Sequence, residues 1–259
     1  LIGNFKIQGM KVVLEMLSFA RLIRNYLTSG DGIQVLRSGV GLYPASGDHG
    51  MSSERRNVLI SLSLIILVSV SLSACSSGAR LPRLAGSAVI LAFGDSLTFG
   101  TGAEPMESYP AVLEHLVGRR VVNAGVPGEL TSEGLARLPE MLDREKPALL
   151  ILCHGGNDLL RGLNRQQINS NLRAMIRLAR EQGVPVVLIA VPSPGMSLSP
   201  PSFYREIATE LALPLEEKTL LAVLSDGSLK SDYIHPNAAG YRHLAESLAI
   251  LLRNNGAVE

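Results

Sequence analysis

The sequence contains no tryptophan, and aromatic residues occupy 4% of its 259 positions. Proteins that bind nucleic acid by stacking bases on aromatic platforms are poorly served by such a composition. A cationic excess is missing too, with 24 Lys+Arg against 23 Asp+Glu. Residues 1–75 hold 7 basic and 4 acidic side chains, which leaves 17 and 19 for the remainder. That remainder carries no basic stripe of the kind a phosphate backbone requires. Cysteine is equally scarce. Cys75 and Cys153 are the only two, too few for a disulfide framework. No Cys-x-x-Cys, His-Glu-x-x-His or other clustered ligand spacing marks a metal site. Gly100-Thr101-Gly102 lacks the third glycine of a dinucleotide loop and reads as a turn.

One long apolar run is present, and it lies early. Met51 is followed by the basic stretch Glu54-Arg55-Arg56, then by an apolar, serine-rich run from Val58 to Leu72. A permanent membrane span needs about 20 residues, so a cleavable export signal fits this run better. Leu72-Ser73-Ala74-Cys75 resembles the lipobox of bacterial lipoproteins. That resemblance implies that 51–75 is a lipoprotein signal peptide and that Cys75 becomes the lipidated first residue of the mature protein. More than one acyl chain gives stable anchoring. Ser76 at the next position favours the outer membrane, with the domain on the periplasmic face of the cell envelope. Residues 1–50 carry no motif and read as an over-extended start or a disordered arm, with Met51 as initiator. An amphipathic arm around Val12–Leu27 is the competing reading. Residues 76–87 read as a short linker, and 88–254 as one catalytic domain.

From residue 88 onwards apolar runs alternate with helical periodicity. Ala88–Phe93, Val121–Asn123, Leu149–Cys153 and Pro185–Val191 read as strands. Tyr109–Val117, Ser132–Arg144 (halted by Pro147), Gln166–Glu181, Phe203–Leu211 and Ala238–Leu252 read as helices. A mixed segment separates the last two. Such alternation implies an α/β fold, a parallel sheet covered on both faces by right-handed crossovers. Sites in these sheets lie at the carboxyl ends of the strands.

The words that carry chemistry fall at those ends. Gly94-Asp95-Ser96-Leu97 follows the first strand, Gly128 the second, and Gly155-Gly156-Asn157-Asp158 the third. Asp232-Tyr233-Ile234-His235 precedes the last helix. A serine on a sharp strand-to-helix turn lifts its hydroxyl above the sheet edge, as in the Gly-x-Ser-x-Gly elbow, which this chain lacks. His235 can take the Ser96 proton and return it to a leaving group. Asp232, three residues earlier, can fix the imidazole tautomer and stabilise the imidazolium. Activity is then expected to rise as a histidine loses its proton. Asp95 is expected to hold the serine turn, and Asn237 to cap the last helix. The Ser96 and Gly128 amides and the Asn157 side chain are the candidate oxyanion donors, with Gly125 as the alternative to Gly128. His154 reads as a packing or locally bonded residue, His115 and His243 as surface or satisfied histidines, and Cys153 as a buried core thiol.

These residues resemble the SGNH, or GDSL-type, serine hydrolase family over about residues 88–254. Ser96, Gly128, Asn157 and His235 each match one of its four blocks, and Asp232 matches the acid of its Asp-x-x-His word. Gly94–Gly102, Thr131–Pro139 and Gly155–Gly162 look like the bacterial arylesterase, lysophospholipase and acyl-CoA thioesterase branch. The resemblance implies a flavodoxin-like three-layer α/β/α sandwich with about five mainly parallel strands. It also implies no cofactor, broad activity on acyl esters and thioesters, and a mobile substrate loop at Asp158, Leu159 and Leu160, extending to Leu163; the expected substrate is an acyl ester or lysophospholipid, and the chain is expected to be a monomer. The expected reaction is acyl ester hydrolysis by Ser96, His235 and Asp232 through an acyl-enzyme. A carbohydrate O-acetylesterase of the envelope, or a non-catalytic lipoprotein binding lipid or a partner, are the alternatives.

Overall fold

A computed structural model of the chain describes residues 80–193 and 198–259. The expected leader, its Cys75 and Ser76, and the 1–50 segment lie outside the described residues. Five strands form one sheet: β1 (Val89–Gly94), β2 (Arg120–Gly125), β3 (Leu149–Cys153), β4 (Val186–Ile189) and β5 (Leu215–Glu216). Their order is β2-β1-β3-β4-β5 and every pairing is parallel. This is the flavodoxin-like order, in which the order of strand addition reverses between β1 and β3 and leaves a crevice there.

The helices are α1 (Ser96–Phe99), α2 (Tyr109–Val117), α3 (Thr131–Glu145), α4 (Gly156–Leu160), α5 (Arg165–Glu181), α6 (Phe203–Glu210), α7 (Thr219–Ser225) and α8 (Ala238–Asn254). The central strands are buried along their whole length, since helices cover both faces and leave no polar side to alternate. Tyr109, Leu113, Leu138, Leu172, Ile176, Tyr241 and Leu248 close the core from the helical layers.

Three differences from the sequence expectation have physical causes. The helix from Thr131 runs to Glu145 with Pro139 inside it, and ends where Lys146 adopts φ 43°, before Pro147 is reached. The mixed segment holds β5, only two residues long and too short to show a period. The core reaches past both ends of 88–254. Leu81 and Leu84, expected in a linker, are buried and donate their N–H groups to Asn255 and Ala257.

Candidate active site

Ser96 begins α1, one residue after the end of β1. The turn can be this sharp because residue 94 is glycine: a Cβ there would lie 1.9 Å from the Cys153 carbonyl oxygen on the neighbouring strand. Asp95 Oδ1 accepts the Leu97 N–H at 3.0 Å and caps the helix. The side chain is buried, and that burial pushes its carboxyl above the ordinary carboxylate value. As the first residue of α1, Ser96 has an N–H that the helix itself leaves unpartnered.

His235 Nε2 lies 3.0 Å from Ser96 Oγ, across 139 residues of chain. Its other nitrogen, Nδ1, lies 2.8 Å from Asp232 Oδ2. Burial tends to raise the Asp232 carboxyl, but its bonds with His235 and with the Ile234 and His235 amides hold it below the ordinary value. An ionised carboxylate only accepts, so Nδ1 carries the proton and Nε2 is left to accept from the Ser96 hydroxyl. The second carboxylate oxygen takes the Ile234 and His235 N–H groups at 2.8 and 2.9 Å, which folds the four-residue word into one turn. Asn237 caps α8 through the Gly240 N–H. The Tyr241 hydroxyl donates to the Thr101 carbonyl and ties α8 to the chain leaving α1.

The opposite wall is the loop after β2. Gly125 packs so closely on α1 that a Cβ would meet the Phe99 nitrogen at 2.0 Å, and its N–H is already donated to Asn123 Oδ1 at 3.0 Å. Gly128 is left as the loop's candidate donor. It adopts φ +81°, which glycine tolerates, and open space surrounds the position where a Cβ would be. Asn157 donates one amide hydrogen to the Glu129 carbonyl at 3.1 Å, leaving its second N–H for a ligand.

Two members of the expected substrate loop do something else. Asp158 and Leu159 are buried within α4. Asp158 accepts the Thr131 N–H at 2.9 Å and the Thr131 hydroxyl at 2.6 Å. It caps α3, whose own preceding residue, Leu130, has no polar side chain to offer. Only Leu160 reaches the cleft, where it stands 45% exposed. His154, as expected, is fully buried and bonded to neighbours. His115 and His243 are exposed on α2 and α8, and Cys153 is buried in β3.

The cleft that holds Ser96, Asn157 and His235 measures about 220 Å³. Its apolar walls come from Leu97, Leu160, Val191, Pro192, Leu198 and Leu224, and Lys230 stands at its mouth beside the exposed Tyr233. Of these walls the sequence pointed only to Leu160, because the others are ordinary apolar residues brought in by separate segments. Among the described residues no group of three or more His, Cys, Asp or Glu is placed to hold a metal.

Residues 92–243 match the model of the GDSL-like Lipase/Acylhydrolase family. The chain belongs to that family. A relative within it, Esterase TesA of Pseudomonas aeruginosa, is 34% identical over 194 residues, covering 68% of this chain and 94% of its own. The Thioesterase 1/protease 1/lysophospholipase L1 of Escherichia coli K12 is 29% identical over 175 residues, 64% of this chain and 84% of its own. A crystal structure of TesA superimposes with a TM-score of 0.58 at 31% identity, covering 64% of this chain and 99% of the other. The GDSL-like acylhydrolase fold and the esterase class of the homologues agree with the α/β sheet and the cleft described above.

Proposed function

We propose that the protein is a serine esterase that hydrolyses acyl esters through an acyl-enzyme on Ser96. The observation that carries this reading is the continuous relay from Asp232 through His235 to Ser96 Oγ, with spacings of 2.8 and 3.0 Å. In the first step His235 Nε2 takes the Ser96 proton as Oγ attacks the ester carbonyl. The negative charge that develops on the carbonyl oxygen meets the Ser96 and Gly128 N–H groups and the free N–H of Asn157. Collapse of the intermediate passes the proton from His235 to the departing alcohol. Water, deprotonated by the same nitrogen, then releases the acid.

The apolar cleft walls favour an acyl chain of short to medium length, and lysophospholipids are the substrates this lining fits among natural esters. Hydrolysis of a p-nitrophenyl ester series tests this reading. Activity on medium chains that disappears in Ser96→Ala is expected. A strict preference for acetyl would instead favour an envelope carbohydrate O-acetylesterase, and absence of all activity in folded protein would favour a binding role.

The lipobox-like word before the domain supports an anchor at Cys75 and an envelope location. Among the described residues no helix is long and apolar enough to cross a membrane. The segment from Leu81 enters beside Asn255, at the end of α8 farthest from His235. A lipid at Cys75 would therefore tether the domain at the end opposite its cleft. Cys75→Ala should abolish metabolic lipid labelling, and retained labelling would discard the anchor.

A further inference from the structure

Behind the oxyanion side of the cleft lies a buried polar cluster that no catalytic step uses. Glu129, which follows Gly128 in the chain, is 6% exposed, and His154 is fully buried. Arg137 donates Nε and a terminal nitrogen to the two Glu129 oxygens, each at 2.7 Å, in a bidentate fork. The same terminal nitrogen reaches the Ala124 carbonyl at the end of β2, and the guanidinium lies 4.2 Å from the centre of the Phe93 ring on β1. His154, at the end of β3, places Nε2 3.0 Å from Glu129 Oε2. Its Nδ1 accepts the Gly155 N–H, so Nε2 bears the proton and donates. Burial alone would raise the Glu129 carboxyl, but the Arg137 and His154 bonds outweigh it and hold the group below its ordinary value.

Directly through His154 and indirectly through Arg137, the Glu129 side chain is tied to the ends of three adjacent strands. Its main chain touches two of the three candidate oxyanion donors. Gly128 precedes it in sequence, and the Glu129 carbonyl accepts from the Asn157 amide and orients it. We propose that Glu129, held by Arg137 and His154, is a positioning residue that sets the distance between the Gly128 N–H and the Asn157 side chain. The inference rests on the esterase reading above. A donor placed loosely has less effect on a developing oxyanion than one fixed in advance, because the reaction must then wait for it to reorganise. A role of this kind acts on the tetrahedral state and leaves binding of the ground-state ester almost untouched.

The test uses the full chain carrying Glu129→Gln or His154→Leu, each assayed below its own thermal midpoint. Turnover of a p-nitrophenyl ester is measured beside inhibition by an alkyl boronic acid, which mimics the tetrahedral state on Ser96. For Glu129→Gln kcat should fall by about 10-fold or more, part of the ~10²–10³ that loss of a whole donor costs. The boronate inhibition constant should rise by the same factor, with KM within about twofold. His154→Leu removes one of the Glu129 bonds and should show the same pattern more weakly. It carries the test alone if Glu129→Gln does not fold. An unchanged kcat and boronate affinity in the folded variants, or a change confined to KM, would overturn the proposal. An inactive wild-type protein, or an active Ser96→Ala, would instead overturn the esterase reading on which it stands.

Discussion

The two walls of the cleft are built on opposite plans. On the base side, Asp232 and His235 are three residues apart, and the carboxylate arranges its own turn through the next three residues. That wall is open to solvent, with the Asp232 side chain half exposed. On the oxyanion side three of the constraints join residues distant in sequence. Glu129 meets His154 across 25 residues, Thr131 meets Asp158 across 27, and Asn171 reaches Thr131 across 40. Those groups are buried. The comparison teaches that the reacting groups can be changed with little effect on the fold, whereas the donors that receive the oxyanion are held by the fold's own polar interior.

The largest separation of the two walls should come from Asp232→Asn. Loss of the correct imidazole tautomer is expected to lower kcat by about 10³–10⁴-fold. Unfolding free energy should stay within about 0.5 kcal/mol, since the residue is at the surface. Steady-state kinetics and urea melts on one preparation measure both. A destabilisation above about 1 kcal/mol would erase the contrast.

The converse substitution is Asp158→Ala. It leaves the Thr131 N–H and hydroxyl without their acceptor in a buried place, at an expected stability loss of about 1–3 kcal/mol. The fall in kcat should be far smaller than for Asp232→Asn, because Asp158 makes no cleft contact. A kinetic loss comparable to that of Asp232→Asn would return Asp158 to the reaction.

A smaller effect, away from both walls, is read by pH. Glu216 is another buried acid, accepting from the Ser247 hydroxyl and from the Lys218 and Thr219 amides. Burial works to raise its carboxyl, and those bonds bring it below the ordinary 4.5. A depressed value means that its stabilisation is complete above 4.5 and is lost as pH falls through the lower folded-state value. Urea unfolding at pH 6 and pH 3.5 should show a steeper loss in the wild type than in Glu216→Gln. Equal slopes would mean that the carboxylate bonds contribute nothing.

This division also explains what could be read in the sequence. Ser96 and the Asp232–His235 pair lie in short words whose geometry is local, so spacing alone was informative. The strands β1, β3 and β4 were legible because burial on both faces makes them continuous apolar runs, and Tyr109–Val117 and Leu149–Cys153 were found to the residue. β5 was not legible, since its two residues are fixed by pairing with β4 and by the Glu216 bonds. Asp158 was misplaced into a substrate loop because nothing near it in sequence reveals that α3 begins at Thr131 without a polar cap of its own. The choice between Gly125 and Gly128 turned on one side-chain acceptor, Asn123 Oδ1, which spacing does not specify. Arg137 and Glu129 are eight residues apart, and only the strand ends they span make them a unit.

The central claim is that Ser96 is the nucleophile and His235 its base. The most direct measurement is covalent labelling of the folded protein with an alkyl phosphonate ester, followed by peptide mapping. A single adduct on the peptide containing Ser96, formed at least about 10³-fold more slowly in His235→Ala, is the predicted result. An adduct on another residue, or labelling indifferent to His235, would contradict it.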